Sequence, residues 1–163
     1  MATGRLILLR HAKSDWHSGA RTDFDRPLNH RGRRNAPKVG RWLHLQNLHP
    51  EIVFCSDAAR TRETLDLVST ELDLSDAEIH FTDDLYHASV NEIVEIAEQQ
   101  LTEHSNVMLV GHNPGFEMTL LHYVPDAEVP FDGKLMTTCA VAVIDFDASG
   151  EASLSYLKRP EKD

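Results

Sequence analysis

Three short apolar runs in this chain each end in residues that can handle an anion, and this recurrence constrains the fold more than any other feature. Leu6-Ile7-Leu8-Leu9 runs into Arg10-His11. Ile52-Val53-Phe54-Cys55 runs into Ser56-Asp57-Ala58-Ala59-Arg60. Val107-Met108-Leu109-Val110 runs into Gly111-His112-Asn113-Pro114. Continuous apolar runs of this length read as strands, and the segments between them carry helical periodicity, so the strands are expected to be parallel and covered on both faces. In an open α/β sheet, ligands bind outside the carboxyl ends of the strands. His11, Arg60 and His112 are therefore expected to meet in one pocket.

The remaining pattern completes this architecture. A helix is expected over 30–47, with Asn29 as its N-cap and Pro37 as an awkward interior residue that kinks it or moves its start. Further helices are expected over 58–70, 90–101 and 114–123, the last with Pro114 at its first position, and a short strand over 78–81. From residue 139 the pattern changes. Cys139 to Ile144 is β-rich, Asp147-Ala148-Ser149-Gly150 forms a turn, and Ala152 to Leu157 returns as the second arm of a hairpin. The expected fold is one domain over 1–163, three-layer α/β/α, with a mostly parallel sheet and a C-terminal antiparallel edge hairpin.

Composition narrows the partners. A net charge of −10 disfavours nucleic acid, whose backbone attracts Lys and Arg surfaces. No apolar run is long enough to span a membrane, and the N-terminus leads into a strand without a signal-peptide layout. A cytoplasmic protein with no membrane partner is the expectation, as a monomer or weak dimer. Cys55 and Cys139 fall in expected strands and read as buried free thiols. Arg31, Arg33, Arg34, Lys38 and Arg41 cluster in one segment. A solvated helix face explains them, and steering of an anionic substrate is the alternative. The ten histidines show no metal-ligand spacing, so no metal and no cofactor are expected.

The strand ends suit phosphoryl transfer. A neutral imidazole at His11 can attack phosphorus and split one displacement into two through a phosphohistidine, with flanking cations keeping it unprotonated. Arg10 and Arg60 offer planar forks of donors that match phosphate oxygens, and Arg60 stands near a helix start that itself favours an anion. An ion pair with Glu63 is the alternative for Arg60. His112 can stabilise charge on the phosphoryl group as a cation or donor, or else serve as a loop or capping residue. Gly111 would permit close backbone approach.

Together these residues carry a resemblance. Leu9-Arg10-His11-Ala12-Lys13-Ser14, Ser56-Asp57-Ala58-Ala59-Arg60-Thr61-Arg62-Glu63-Thr64 and Val110-Gly111-His112-Asn113-Pro114-Gly115 resemble the histidine phosphatase, or phosphoglycerate mutase-like, superfamily. Asp25-Arg26-Pro27-Leu28-Asn29 and Leu85-Tyr86 are similar to the SixA-type phosphohistidine phosphatases within it. The ordered motifs run from residue 6 to about 116. The resemblance implies a nucleophilic His11, a phosphate pocket completed by Arg10, Arg60 and His112, and a phosphohistidine-bearing protein as substrate. Arg26 would also face phosphate, with a salt bridge to Asp23 or Asp25 as the alternative.

Two departures matter. Ala12 stands where many superfamily members have Gly, and no carboxylate matches the general acid of larger members. Asp15, Asp84 and His87 are the candidates. An alkoxide leaving group needs a proton donor, whereas an imidazole protonated on its other nitrogen leaves neutral. A site weak in acid therefore favours phosphohistidine, and the chain's short length leaves little room for the insertions that hold substrate in mutase-like relatives. A phosphatase of small phosphate monoesters, or a phosphate-binding module with little turnover, are the alternative expectations.

Overall fold

The run Leu6-Ile7-Leu8-Leu9 lies in a strand at the centre of the molecule, with all four side chains fully buried. Such a run demands cover on both faces. The computed structural model describes residues 3–160, so Met1 and Ala2 of the N-terminal reading and residues 161–163 lie outside it. Six strands form one sheet: β1 (Gly4–Arg10), β2 (Ile52–Ser56), β3 (Glu78–Thr82), β4 (Asn106–Gly111), β5 (Val141–Phe146) and β6 (Ala152–Lys158). Their order is β3-β2-β4-β1-β5-β6. The first four are parallel, while β5 pairs antiparallel with β1 and β6 with β5. The expected edge hairpin is thus present.

Four helices complete three layers: α1 (His30–Leu45), α2 (Ala59–Val68), α3 (Val90–Leu101) and α4 (Gly115–Tyr123). Val39 and Leu43 of α1 and Leu65 and Val68 of α2 share one core with Ile7, Leu9, Val53 and Cys55. Ile93, Ala97 and Leu101 of α3 and Phe116 and Leu120 of α4 share another with Leu6, Leu8, Val107 and Leu109. Alternate residues of one strand thus serve opposite cores, as the period of two requires.

The Asn29 cap is found as expected, and two local expectations are corrected. Helix α1 starts where its Asn29 cap places it, with Gly32 N donating to Asn29 Oδ1 at 2.9 Å, and runs through Pro37. Its buried face of Ala36, Val39, Gly40 and Leu43 holds the helix across the missing N–H. Pro114 is the N-cap of α4 rather than its first residue. Cys139 is buried but lies before β5, not in it, with a left-handed φ of 62°. There its N–H donates to His11 O at 2.9 Å, and β5 begins only at Val141.

Gly111 has a different use from the one expected. A Cβ there would come within 2.7 Å of the Phe116 ring, so the close approach is made by the core. Gly32 is as tightly placed: a Cβ would lie 2.2 Å from Lys13 O, the turn that follows β1. Overpacking of this kind costs about 1–3 kcal/mol. Gly32→Ala is expected to lower the urea midpoint of unfolding accordingly, and an unchanged midpoint would mean that the α1 contact is loose.

Candidate active site

Register decides which functional side chains meet. Strand β4 lies between β1 and β2, with Arg10 opposite Gly111 and Cys55 opposite Val110. The three strands therefore end level, at Arg10, Ser56 and Gly111, and the residues that follow β1 and β4, His11 and His112, come together just beyond the sheet beside Ser56. The rings of His11 and His112 lie 5.3 Å apart. A cleft of about 240 Å³ opens there, lined by Arg10, His11, Arg26, Arg60 and His112, all five sequence candidates, and by Lys13, Ser14, Trp16, His87, Asn113 and Thr138. Other hollows are as large, but none gathers this chemistry. One of about 300 Å³ is lined by Asn35, Lys38, Val39, Lys158 and Pro160.

His11 has its tautomer set by the backbone. Its Nδ1 lies 2.7 Å from Ala12 O, and since a carbonyl only accepts, Nδ1 carries the proton and donates. The lone pair is then on Nε2. Burial pushes the His11 pKa down to about 3; the Ala12 contact opposes this, and His112, Arg60 and Arg10 add to it. Burial thus outweighs the flanking cations that the sequence suggested as the cause. His112 is also held down at about 3, by burial first and then by Arg60, His87 and Arg10, with Asp23 opposing. Ser56 Oγ, 2.8 Å from His112 Nε2, fixes that ring from the β2 side. At neutral pH both rings are neutral, so His112 is not a cation in the free site.

The guanidinium groups are held from outside the cleft. Arg10 donates to Met136 O at 2.9 Å, and that carbonyl also accepts from Asn113 Nδ2 at 2.9 Å. Arg60 donates to Asp23 O at 2.8 Å and to Asp23 Oδ2 at 2.9 Å. Its pairing is with Asp23, because Glu63 is taken by Arg33 and by Leu28 N. Arg26 donates to Asp23 Oδ1 at 2.9 Å and to Ser14 Oγ. The salt bridge and the cleft position of Arg26, read as alternatives from sequence, thus hold together. Nε of Arg10, Arg26 and Arg60 and Nδ1 of His112 are buried without a hydrogen-bond partner. A cleft lined by four cationic side chains, Arg10, Lys13, Arg26 and Arg60, fits an oxyanion.

Asp23, considered in the sequence only as a partner of Arg26, organises this group. Partial desolvation pushes its carboxyl up, but the Tyr86 hydroxyl, Arg26 and Arg60 outweigh that and hold it well below the usual carboxylate range. Tyr86 donates to Oδ2 at 2.7 Å. Thr64 also escaped the sequence reading. Its hydroxyl accepts from Ala12 N at 2.9 Å and donates to Arg60 O at 2.7 Å, joining the His11 turn to α2. Of the three acid candidates, only His87 lines the cleft, and Asp15 and Asp84 do not. The α1 cations Arg31, Arg33, Arg34, Lys38 and Arg41 do not line it either; the cation that the sequence missed is Lys13. No cluster of three or more His, Cys, Asp or Glu is arranged for a metal among the described residues. Cys55 and Cys139 are buried free thiols, their pKa raised by burial, that of Cys139 to about 12. No helix is long and apolar enough to cross a membrane among the described residues.

The family model described as histidine phosphatase superfamily (branch 1) matches residues 6–104. An uncharacterised chloroplast protein of Arabidopsis thaliana is 36% identical over 121 residues, covering 69% of this chain and 56% of its own length. An uncharacterised protein of Mycobacterium tuberculosis is 35% identical over 106 residues, covering 65% and 63%. The chain therefore spans less than two thirds of the length of these relatives. Among solved structures, a proposed phosphohistidine phosphatase SixA from Agrobacterium tumefaciens superposes with a TM-score of 0.83 at 29% identity, covering 97% of this chain and 99% of the other. The protein histidine phosphatase SixA complexed with tungstate gives a TM-score of 0.77 at 25% identity, covering 96% and 97%.

The depressed histidines predict an acid weakness of the fold. An unfolded chain protonates both rings as pH falls through about 6.5, while the folded chain resists down to about 3. Stability is present above pH 6.5 and lost as pH falls from there toward 3. Replacing His11 with Asn should remove about 1–2 kcal/mol of the stability loss seen between pH 7 and pH 5. Thermal unfolding across that range checks this, and parallel pH curves for the two proteins would contradict it.

Proposed function

We propose that this chain, a phosphatase belonging to branch 1 of the histidine phosphatase superfamily, hydrolyses phosphohistidine borne on a protein, through a phosphohistidine of its own at His11. The observation that carries the reading is the His11 imidazole: neutral, bound through Nδ1 to Ala12 O, and therefore basic at Nε2 beside two arginines. Nε2 attacks phosphorus, the bond from phosphorus to the substrate imidazole breaks, and that imidazole leaves with the bonding pair, neutral if its other nitrogen is protonated. Arg10, Arg60 and Arg26 hold the non-bridging oxygens, and His112 donates to one of them. Water then attacks phosphorus, and His11 leaves as the neutral Nδ1–H tautomer that the Ala12 carbonyl favours. The spare proton of the water goes to phosphate or solvent.

Transfer between two imidazoles exchanges similar leaving groups, so it asks little of an acid. That no carboxylate lines the cleft among the described residues supports this substrate over an alkyl phosphate. The SixA relative is described in complex with tungstate, a tetrahedral oxyanion like phosphate. One observation favours the alternative, a phosphatase of small monoesters: the His87 imidazole lines the cleft.

Phosphate release from a phosphohistidine-bearing protein, measured in the presence of chelator, separates these readings. Wild type should release phosphate faster from it than from sugar phosphates. His11→Ala should abolish release, and Arg60→Ala should lower kcat/KM by about 10²–10³, the range seen when one charge-stabilising donor is lost. Faster cleavage of sugar phosphates would transfer the assignment to monoesters. Release that survives in folded His11→Ala would refute the covalent route.

A further inference from the structure

A large exposed aromatic stands beside the cleft with no part in the chemistry described above. Trp16 is 67% exposed, although its ring carries one of the largest apolar areas a side chain can bury. The guanidinium carbon of Arg26 lies 3.6 Å from the centre of that ring. Arg26 is itself only 8% exposed and is tied to Asp23 and Ser14. A fixed cation thus backs part of the ring, and much of the remainder faces solvent.

Trp16 and Arg26 line two hollows at once. One is the phosphoryl cleft of about 240 Å³. The other, about 320 Å³, is formed with residues 18–23. The pair is the wall between them. Phosphoryl displacement is roughly in line, so a group leaving phosphorus departs on the side away from His11 Nε2. His11 sits at the strand ends, and the side away from them is the rim, where the exposed cleft-lining rings are Trp16 and His87. A rigid ring backed by a guanidinium is a good surface for another flat ring.

We propose that Trp16, backed by Arg26, is a leaving-group subsite that takes a planar ring bonded to phosphorus, the imidazole of a protein phosphohistidine being the natural case. The inference rests on the phosphatase reading for its biological meaning. The groove along residues 18–23 leaves room for the chain that bears the ring.

Binding of two unreactive probes tests this without any turnover. Calorimetry on the full chain compares phenylphosphonate with methylphosphonate for wild type, Trp16→Ala and Trp16→Phe. Wild type should prefer the phenyl compound, and Trp16→Ala should reduce that preference by about three- to tenfold, the span expected of one aromatic pair. Trp16→Phe should restore most of it. A preference that survives in Trp16→Ala overturns the subsite, as does its absence in wild type. Equal weakening of both probes would also overturn it, because Trp16 would then act only by steadying Arg26. A wild type that shows the ring preference but releases no phosphate from phosphohistidine would refute the phosphatase reading and leave the subsite standing.

Discussion

The parallel pairing of β1 with β4 is the constraint on which the site depends. Arg10 faces Gly111 across that pair, so the residues that follow, His11 and His112, leave the sheet at one level. Strand β2 on the other side of β4 brings Ser56 and the start of α2 to the same level. None of these side chains has to reach far. A register slip of one residue would turn every apolar side chain of the strand to the opposite face, so the pairing that fills two cores also fixes the site.

Once placed, the groups tune one another through burial more than through charge. His11 and His112 lose their protons because their rings are buried, and the arginines add to that effect. The cations in turn are kept close together by Asp23, which accepts from Arg26, Arg60 and Tyr86. In a chain of net charge −10 the cleft is a local inversion of sign, held by one carboxylate at its back. The arrangement is ready for a dianion before any arrives, which is what charge stabilisation in phosphoryl transfer requires.

Much of this was legible in the sequence because strands punctuate it. An apolar run that stops at Arg10-His11 or Gly111-His112 announces both the element and the place where its chemistry sits. Asn29 announced the start of α1 by its capping chemistry. The stretch from Ala12 to Leu28 has no such period, and what it contributes was harder to see. Asp23 and Trp16 act through contacts with Arg60, Tyr86 and Arg26, and no spacing rule links position 23 to position 60 or 86. Thr64 reads as an ordinary helical threonine until Ala12 N is found on its hydroxyl. Cys139 looked like strand because its neighbours are β-formers, but its left-handed φ of 62° takes it out of the strand conformation.

The central claim is that His11 Nε2 carries the phosphoryl group between substrate and water. Rapid mixing of the chain with a phosphohistidine protein, alkaline quenching and peptide mass spectrometry would test it most directly. The account predicts a transient phosphoryl adduct on the peptide containing His11, attached at Nε2, rising and decaying within a turnover. Phosphate release at full rate with no adduct on His11, or with the adduct on His87 or His112, would contradict it.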